Sequence, residues 1–356
     1  MKKFLIITLS ASFLICCKKD PAENPKADNA IERIFASADV DTITADSMSI
    51  RAILIDKDKL WYAANDGKYG FYDLSRGKMF NGHIALDSLK PEFRSISKTA
   101  ENIFILNVGS PALLYKISKD GRQAKIVYRE NDPKAFYDSM QFFNDKGGIA
   151  MGDPTGNCLS VITTTDGGDS WKKILCDKLP AITEGEAAFA ASNTNLIVKG
   201  SNIWMVSGGK KSRLFHSPDK GKTWNVYNTP IVQGKVMTGI FTADFYDDNN
   251  GFIAGGDYEI PGQNHGNKAI TSDGGKNWKL VAENKGFGYA SCVQYVPGSH
   301  AKQLVCVGPS GLQYSSDSGN NWKQLLKDKD LYTIRFQNDS VAFAAGRNKI
   351  VRVRFK

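Results

Sequence analysis

The chain has 356 residues, of which 42% are hydrophobic, 23% charged and 11% aromatic, a globular composition that excludes wholesale disorder and a membrane bundle. Thirty-three glycines against twelve prolines, with no collagen-like period, favour a turn-rich β protein. The formal charge of +9 comes from Lys and Arg scattered among acids, which is no nucleic-acid signature, and six cysteines are too few for a small disulfide scaffold.

Met1, Lys2 and Lys3 open the chain, and the apolar or small run from Phe4 to Cys16 is too short for a mature helix across roughly 30 Å of hydrocarbon. The run ends in Leu14, Ile15, Cys16 and Cys17, with Lys18, Lys19 and Asp20 directly behind. This resembles a bacterial lipoprotein signal over residues 1–16, with Leu14 three places before a lipidated Cys17 and Cys16 as the alternative acceptor. The resemblance implies a protein held in the bacterial cell envelope by its lipid alone, at the outer membrane, facing the periplasm or the surface. Residues 17–30 are polar and contain Pro21 and Pro25, as suits a flexible tether, and residues 31–356 are expected to form one domain.

Seven β-rich runs ending in small residues follow, at Leu60–Asp66, Ile103–Gly109, Gly148–Asp153, Ile203–Gly209, Phe252–Asp257, Leu304–Pro309 and Val341–Arg347. Their alternating apolar positions and glycine breaks suit short antiparallel strands. Residues 46–356 give about 44 residues per unit, near the size of a four-stranded propeller blade. The last unit offers only three strands, so Ile31–Thr44 is expected to supply its outer strand and remove an unpaired edge. The reading is all-β: a seven-bladed β-propeller closed by an N-terminal strand, with six blades and a cap as the alternative.

Four of the runs precede one motif, Ser or Thr, then Asp, Gly and Trp in fixed spacing, at Thr164–Trp171, Ser217–Trp224, Thr271–Trp278 and Ser315–Trp322. The aspartates, Asp166, Asp219, Asp273 and Asp317, stand 53, 54 and 44 residues apart. Each is read as structural: Asp accepts from backbone N–H groups of its own turn, Gly takes positive φ, and Trp packs back on the hairpin. The motif resembles the Asp-box (BNR) repeat of sialidase-type propellers. The spacing is closest to propellers of photosystem II assembly and stability factors and their bacterial relatives. That resemblance implies the fold, and an assembly role toward another protein; it does not name a ligand.

Aligning the inner strands puts Arg51, Arg94, Asp138 and Glu186 at equivalent starting positions, with Tyr289 close by and Asp153 and Asp257 ending second strands on the same face. Together they predict a polar pocket at the channel mouth, with arginine forks for a carboxylate or sulfate. The long loop Asp257–Lys268 overhangs that face, and Lys210, Lys211 and Arg213 read as a solvated basic loop. No dinucleotide or phosphate-binding glycine loop and no serine-nucleophile motif occurs, and His83, His216, His265 and His300 lack zinc-ligand spacing, so neither metal nor cofactor is expected.

Cys158 and Cys176 are centred on one hairpin turn, and Cys292 and Cys306 on another, so each pair is a candidate disulfide in an exported protein. The leading functional reading is a monomeric, non-catalytic scaffold that binds a protein or glycan at the channel face. The alternative is a glycan-active enzyme of the sialidase or lyase kind, using Glu186 and Asp138 with Arg51 and Arg94; retaining hydrolysis needs its two carboxylates about 5–5.5 Å apart.

Overall fold

The computed structural model describes Met1, residues 33–86 and residues 89–356. The signal, Cys17 and the tether lie outside the described residues. From Ile34 to Lys356 the chain forms one unit, a ring of seven antiparallel blades. The first blade is typical: Ile50–Asp56 is innermost, then Lys59–Ala64, Lys68–Asp73 and Lys78–His83 outward. The inner strands of the next six blades are Phe93–Lys98, Tyr137–Phe142, Leu196–Lys199, Thr238–Phe245, Cys292–Tyr295 and Leu331–Phe336. Blade 7 takes its outer strand from the start of the chain. Ala38–Thr44 pairs antiparallel with Lys349–Phe355, Ala38 opposite Phe355, which closes the ring.

Apolar residues on both faces of each sheet follow from the architecture, because each blade packs against two others. Seven separate hydrophobic clusters result, one in each interface between neighbouring blades. Trp61 and Phe71 fill the interface of blades 1 and 2, for example, while Trp204 stacks on Phe245 at 4.0 Å between blades 4 and 5. Phe35 seals the seam of blades 6 and 7 against Tyr314 and Phe355. An eighth, smaller cluster of Ala191, Phe241 and Tyr289 sits at the axis.

Cys158 and Cys176 are bonded, with Cα atoms 5.5 Å apart. The second expected bridge does not form. Cys292 faces Val307 and Cys306 faces Val293, so the hairpin register is one residue off. Alternation along a strand then sends the two thiols to opposite faces of blade 6. Cys292 is buried against blade 7 and Cys306 against blade 5.

Candidate functional site

Five inner strands share one irregularity near their start. Their pairing with the second strand skips a residue at Arg51, Arg94, Asp138, Phe241 and Tyr332. Such a bulge re-aims the extra side chain, and the repeat brings the five toward one mouth of the ring. It also explains two of the glycine endings noted in the sequence. A Cβ on Gly255 or Gly346 would come within 1.8 Å of the Gly239 carbonyl oxygen or 1.7 Å of the Asp330 carbonyl oxygen, opposite a bulge.

The channel itself is filled by the protein's own chain. Residues 187–195, just ahead of the inner strand of blade 4, cross the axis and bond to the inner-strand segments of all six other blades. The Ala191 and Ala190 carbonyls accept from Arg51 and Arg94, of blades 1 and 2. Asn193, at φ 59°, accepts the Met140 N–H of blade 3 at 3.0 Å and donates to the Ile96 carbonyl of blade 2 at 2.9 Å. Thr194 bonds Thr242 of blade 5, Ser192 donates to the Ser291 carbonyl of blade 6, and the Ser192 carbonyl accepts from Arg335 of blade 7. Small side chains dominate this segment because nothing larger fits among seven converging strands. Phe189 is the exception, and it projects back toward the mouth.

Above this plug lies a cleft of about 320 Å³. Its floor is aromatic: Phe189 stacks on Phe241 at 3.9 Å, and Tyr289 meets Phe241 edge-on at 4.7 Å and Tyr258 at 5.2 Å. Arg51, Arg94 and Asp153 stand on the walls, and Val236 and Met237 form a lip. A second depression of about 220 Å³ shares Arg51, Tyr258 and Tyr289 and continues to Lys329, Tyr332 and Arg347. Arg51 lies over the Tyr332 ring at 4.5 Å, and no carboxylate among the described residues pairs with it. Arg94 is committed to Glu92, donating from Nε at 2.8 Å.

Four of the seven sequence-predicted residues therefore meet in the cleft: Arg51, Arg94, Asp153 and Tyr289. Three do not. Glu186 is buried, and it accepts from the Arg213 guanidinium at 2.9 Å and 3.1 Å and from the Ser207 hydroxyl at 2.5 Å. It precedes the plug rather than the inner strand, which begins only at Leu196 in blade 4. The same ion pair corrects the reading of Arg213 as part of a solvated loop. Asp257 turns into its own loop, accepting the Glu259 and Ile260 N–H groups, and pairs with Lys235 at 3.2 Å. Asp138 lies fully buried and neither carboxylate oxygen has a hydrogen-bond partner. Burial, and secondarily the charge of Asp153, push its acid well above the usual carboxylate range against the pull of Arg94. Burial likewise raises Asp153 to about 6, opposed by the Ala188 N–H that bonds it at 2.7 Å. The expected arc of two arginines facing Asp138 and Glu186 is thus absent, and with it the carboxylate pair of the glycan-active reading.

Phe189, Phe241, Tyr258 and Tyr332 line the site although no charge pattern pointed to them. Phe241 and Tyr332 occupy the bulge position of Arg51 and Arg94, so the repeat contained the signal.

The four motif turns are at the other end of the molecule. They join the third and fourth strands of blades 3 to 6, and inner strands start at the cleft, so these hairpins fall on the opposite face. In each, the aspartate accepts the N–H four residues on, at 3.1, 2.8, 3.0 and 2.8 Å for Asp166, Asp219, Asp273 and Asp317. The preceding Ser or Thr hydroxyl bonds both the carboxylate and the glycine N–H. Those bonds hold Asp219 down to about 2. Among the described residues, no three His, Cys, Asp or Glu gather to hold a metal ion.

No protein-family model and no curated sequence matches the chain. Solved structures share its fold. YCF48 bound to D1 peptide is 16% identical, with a TM-score of 0.64 over 91% of this chain and 98% of that one. YCF48 from Cyanidioschyzon merolae is 12% identical at 0.63 over 90% and 98%. The GH74 xyloglucanase from Xanthomonas campestris is 12% identical at 0.63 over 88% of this chain and 53% of its own. At these identities the likeness establishes a seven-bladed β-propeller and nothing finer.

Proposed function

We propose that this chain is an envelope lipoprotein, anchored through Cys17, whose cleft holds a segment of another protein. One observation carries the reading. The aromatic floor is bordered by side chains that a free-standing surface would not leave bare: Val236 is 69% exposed and Tyr258 45%. Exposed apolar side chains gathered around aromatic and arginine anchors are the pattern of a protein-binding hot spot. The plug blocks passage through the ring, so a partner lies across the mouth. Two features support a protein over a glycan partner: the apolar lip, and a propeller of the same fold that holds a D1 peptide. The motif turns fit the Asp-box (BNR) repeat, and they serve the scaffold on the far face.

A photo-reactive phenylalanine placed at Val236 tests this in cells. It should capture a discrete envelope protein, while the same probe at Leu175, also exposed and apolar but away from the cleft, should not. Equal labelling from both positions would overturn the reading. Tyr258→Ala should weaken capture by roughly tenfold, the effect of losing one aromatic anchor.

A further inference from the structure

We propose that the blade 3 end of the cleft is a cation subsite, where Asp153, backed by Asp138, receives an ammonium group of the bound partner. The inference rests on the cleft reading above and names the chemistry that one end of it accepts. Asp153 faces the cleft and uses one oxygen to accept the Ala188 N–H. Among the described residues, no lysine, arginine or histidine pairs with it. Arg94, the cation beside it on the wall, is taken by Glu92.

Asp138 supplies the independent observation. It sits at the bulge that aims Arg51 and Arg94 at the mouth, yet it is wholly buried with both oxygens unpartnered. A buried carboxyl without any hydrogen bond is costly to keep, and a purely structural position is better served by an apolar or amide side chain. A second acid behind the first makes sense where a positive charge arrives from the cleft. The charged groups bearing on the pair are Arg94 and, through it, Glu92; Glu186 is neutralised by Arg213, and Arg51 is another wall. Asp138 is the more deeply buried of the two and has no hydrogen bond, so it holds its proton more tightly than Asp153, which the Ala188 N–H stabilises as the anion. An incoming ammonium favours the ionised form of both acids, so its binding releases protons to solvent.

The other end of the groove has the opposite sign. Arg51 has no carboxylate partner; Lys329 lies beyond it, with Arg347, which pairs with Asp330 at 3.7 Å, so the cations outnumber the acid there. A bound segment would therefore run in one direction, base toward blade 3 and acid toward blades 7 and 1. A lysine side chain and a chain's amino terminus are the two sources of such an ammonium.

The test uses the full chain in detergent and three small probes: 2-phenylethylammonium, its neutral analogue 2-phenylethanol, and 3-phenylpropionate. At pH 7 the ammonium should bind about 10–100-fold more tightly than the alcohol, the range of one charged hydrogen bond. The preference should shrink below pH 6, and calorimetry in buffers of different ionisation heat should show proton release. Asp153→Asn keeps an acceptor for Ala188 and should abolish the preference. Asp138→Asn should reduce the proton release. Glu92→Gln frees Arg94 to pair with Asp153 and should weaken ammonium binding without touching either acid. Equal binding of ammonium and alcohol, or a preference that survives Asp153→Asn, overturns the subsite alone. Failure of every phenyl probe to bind overturns the cleft reading with it. Comparing acetyl-Lys-Phe amide with Gly-Phe amide then tells a lysine from an amino terminus, and a preference for either supports the subsite.

Discussion

Arg51, Arg94 and Asp138 hold the same place in neighbouring blades, yet two face the cleft and one is sealed beneath it. That difference has a thermodynamic signature. Burial raises the acid of folded Asp138 above its unfolded value, so the folded state binds this proton more tightly. Its contribution is therefore most favourable below the unfolded pKa, near 4, and is lost as pH rises toward the folded one. Asp138→Asn should raise the melting temperature at pH 7, and the gain should disappear as pH falls to about 4. A gain that persists at pH 4 would show that charge burial is not its source. The two arginines were legible in the sequence because the repeat fixes where an inner strand begins. The depth of Asp138 was not, since all three share one bulge and the packing around blade 3 that buries the acid leaves no mark in local sequence. Of the cleft's aromatics Tyr289 was legible, whereas Phe241 and Tyr332 carry no charge to mark them although they hold the same bulge position as the arginines.

Among the elements, the plug was the least legible. The run from Ala187 to Asn195 has no alternation to mark it as strand, and its hydrogen bonds to other blades span 35 to 143 residues of sequence. Asn193 does most to fix it, since it takes positive φ and bridges blades 2 and 3. Asn193→Ala removes both bonds and strains the backbone, which should cost about 2–4 kcal/mol in a denaturant titration. Asn193→Gly keeps the conformation and should cost less. The motif turns, by contrast, were readable because each aspartate carboxylate's bonds lie within four residues. Asp273→Ala should lower the melting temperature by a few degrees and leave partner capture from Val236 unchanged. Loss of capture without loss of stability would contradict the structural role.

Taken whole, the molecule is a ring closed at its rim by Ala38–Thr44 and at its centre by the plug. The rim closure followed from counting strands in the last unit. Deleting residues 1–33 should leave the ring folded, whereas deleting 1–44 strips the outer edge of blade 7 and should produce aggregation on size-exclusion chromatography. Cys17→Ser should move the protein from the membrane fraction to the soluble one. If it stays with membranes, the double substitution with Cys16→Ser decides whether Cys16 is the acceptor. The plug also bears on how the ring comes apart. In an open repeat array each unit touches only its neighbours, and the ends fray first. Here one nine-residue segment is a common hub, so releasing it withdraws support from every spoke at once. Amide exchange in all seven inner strands should therefore proceed through a single opening event, with one shared free energy and no gradient from the chain ends inward.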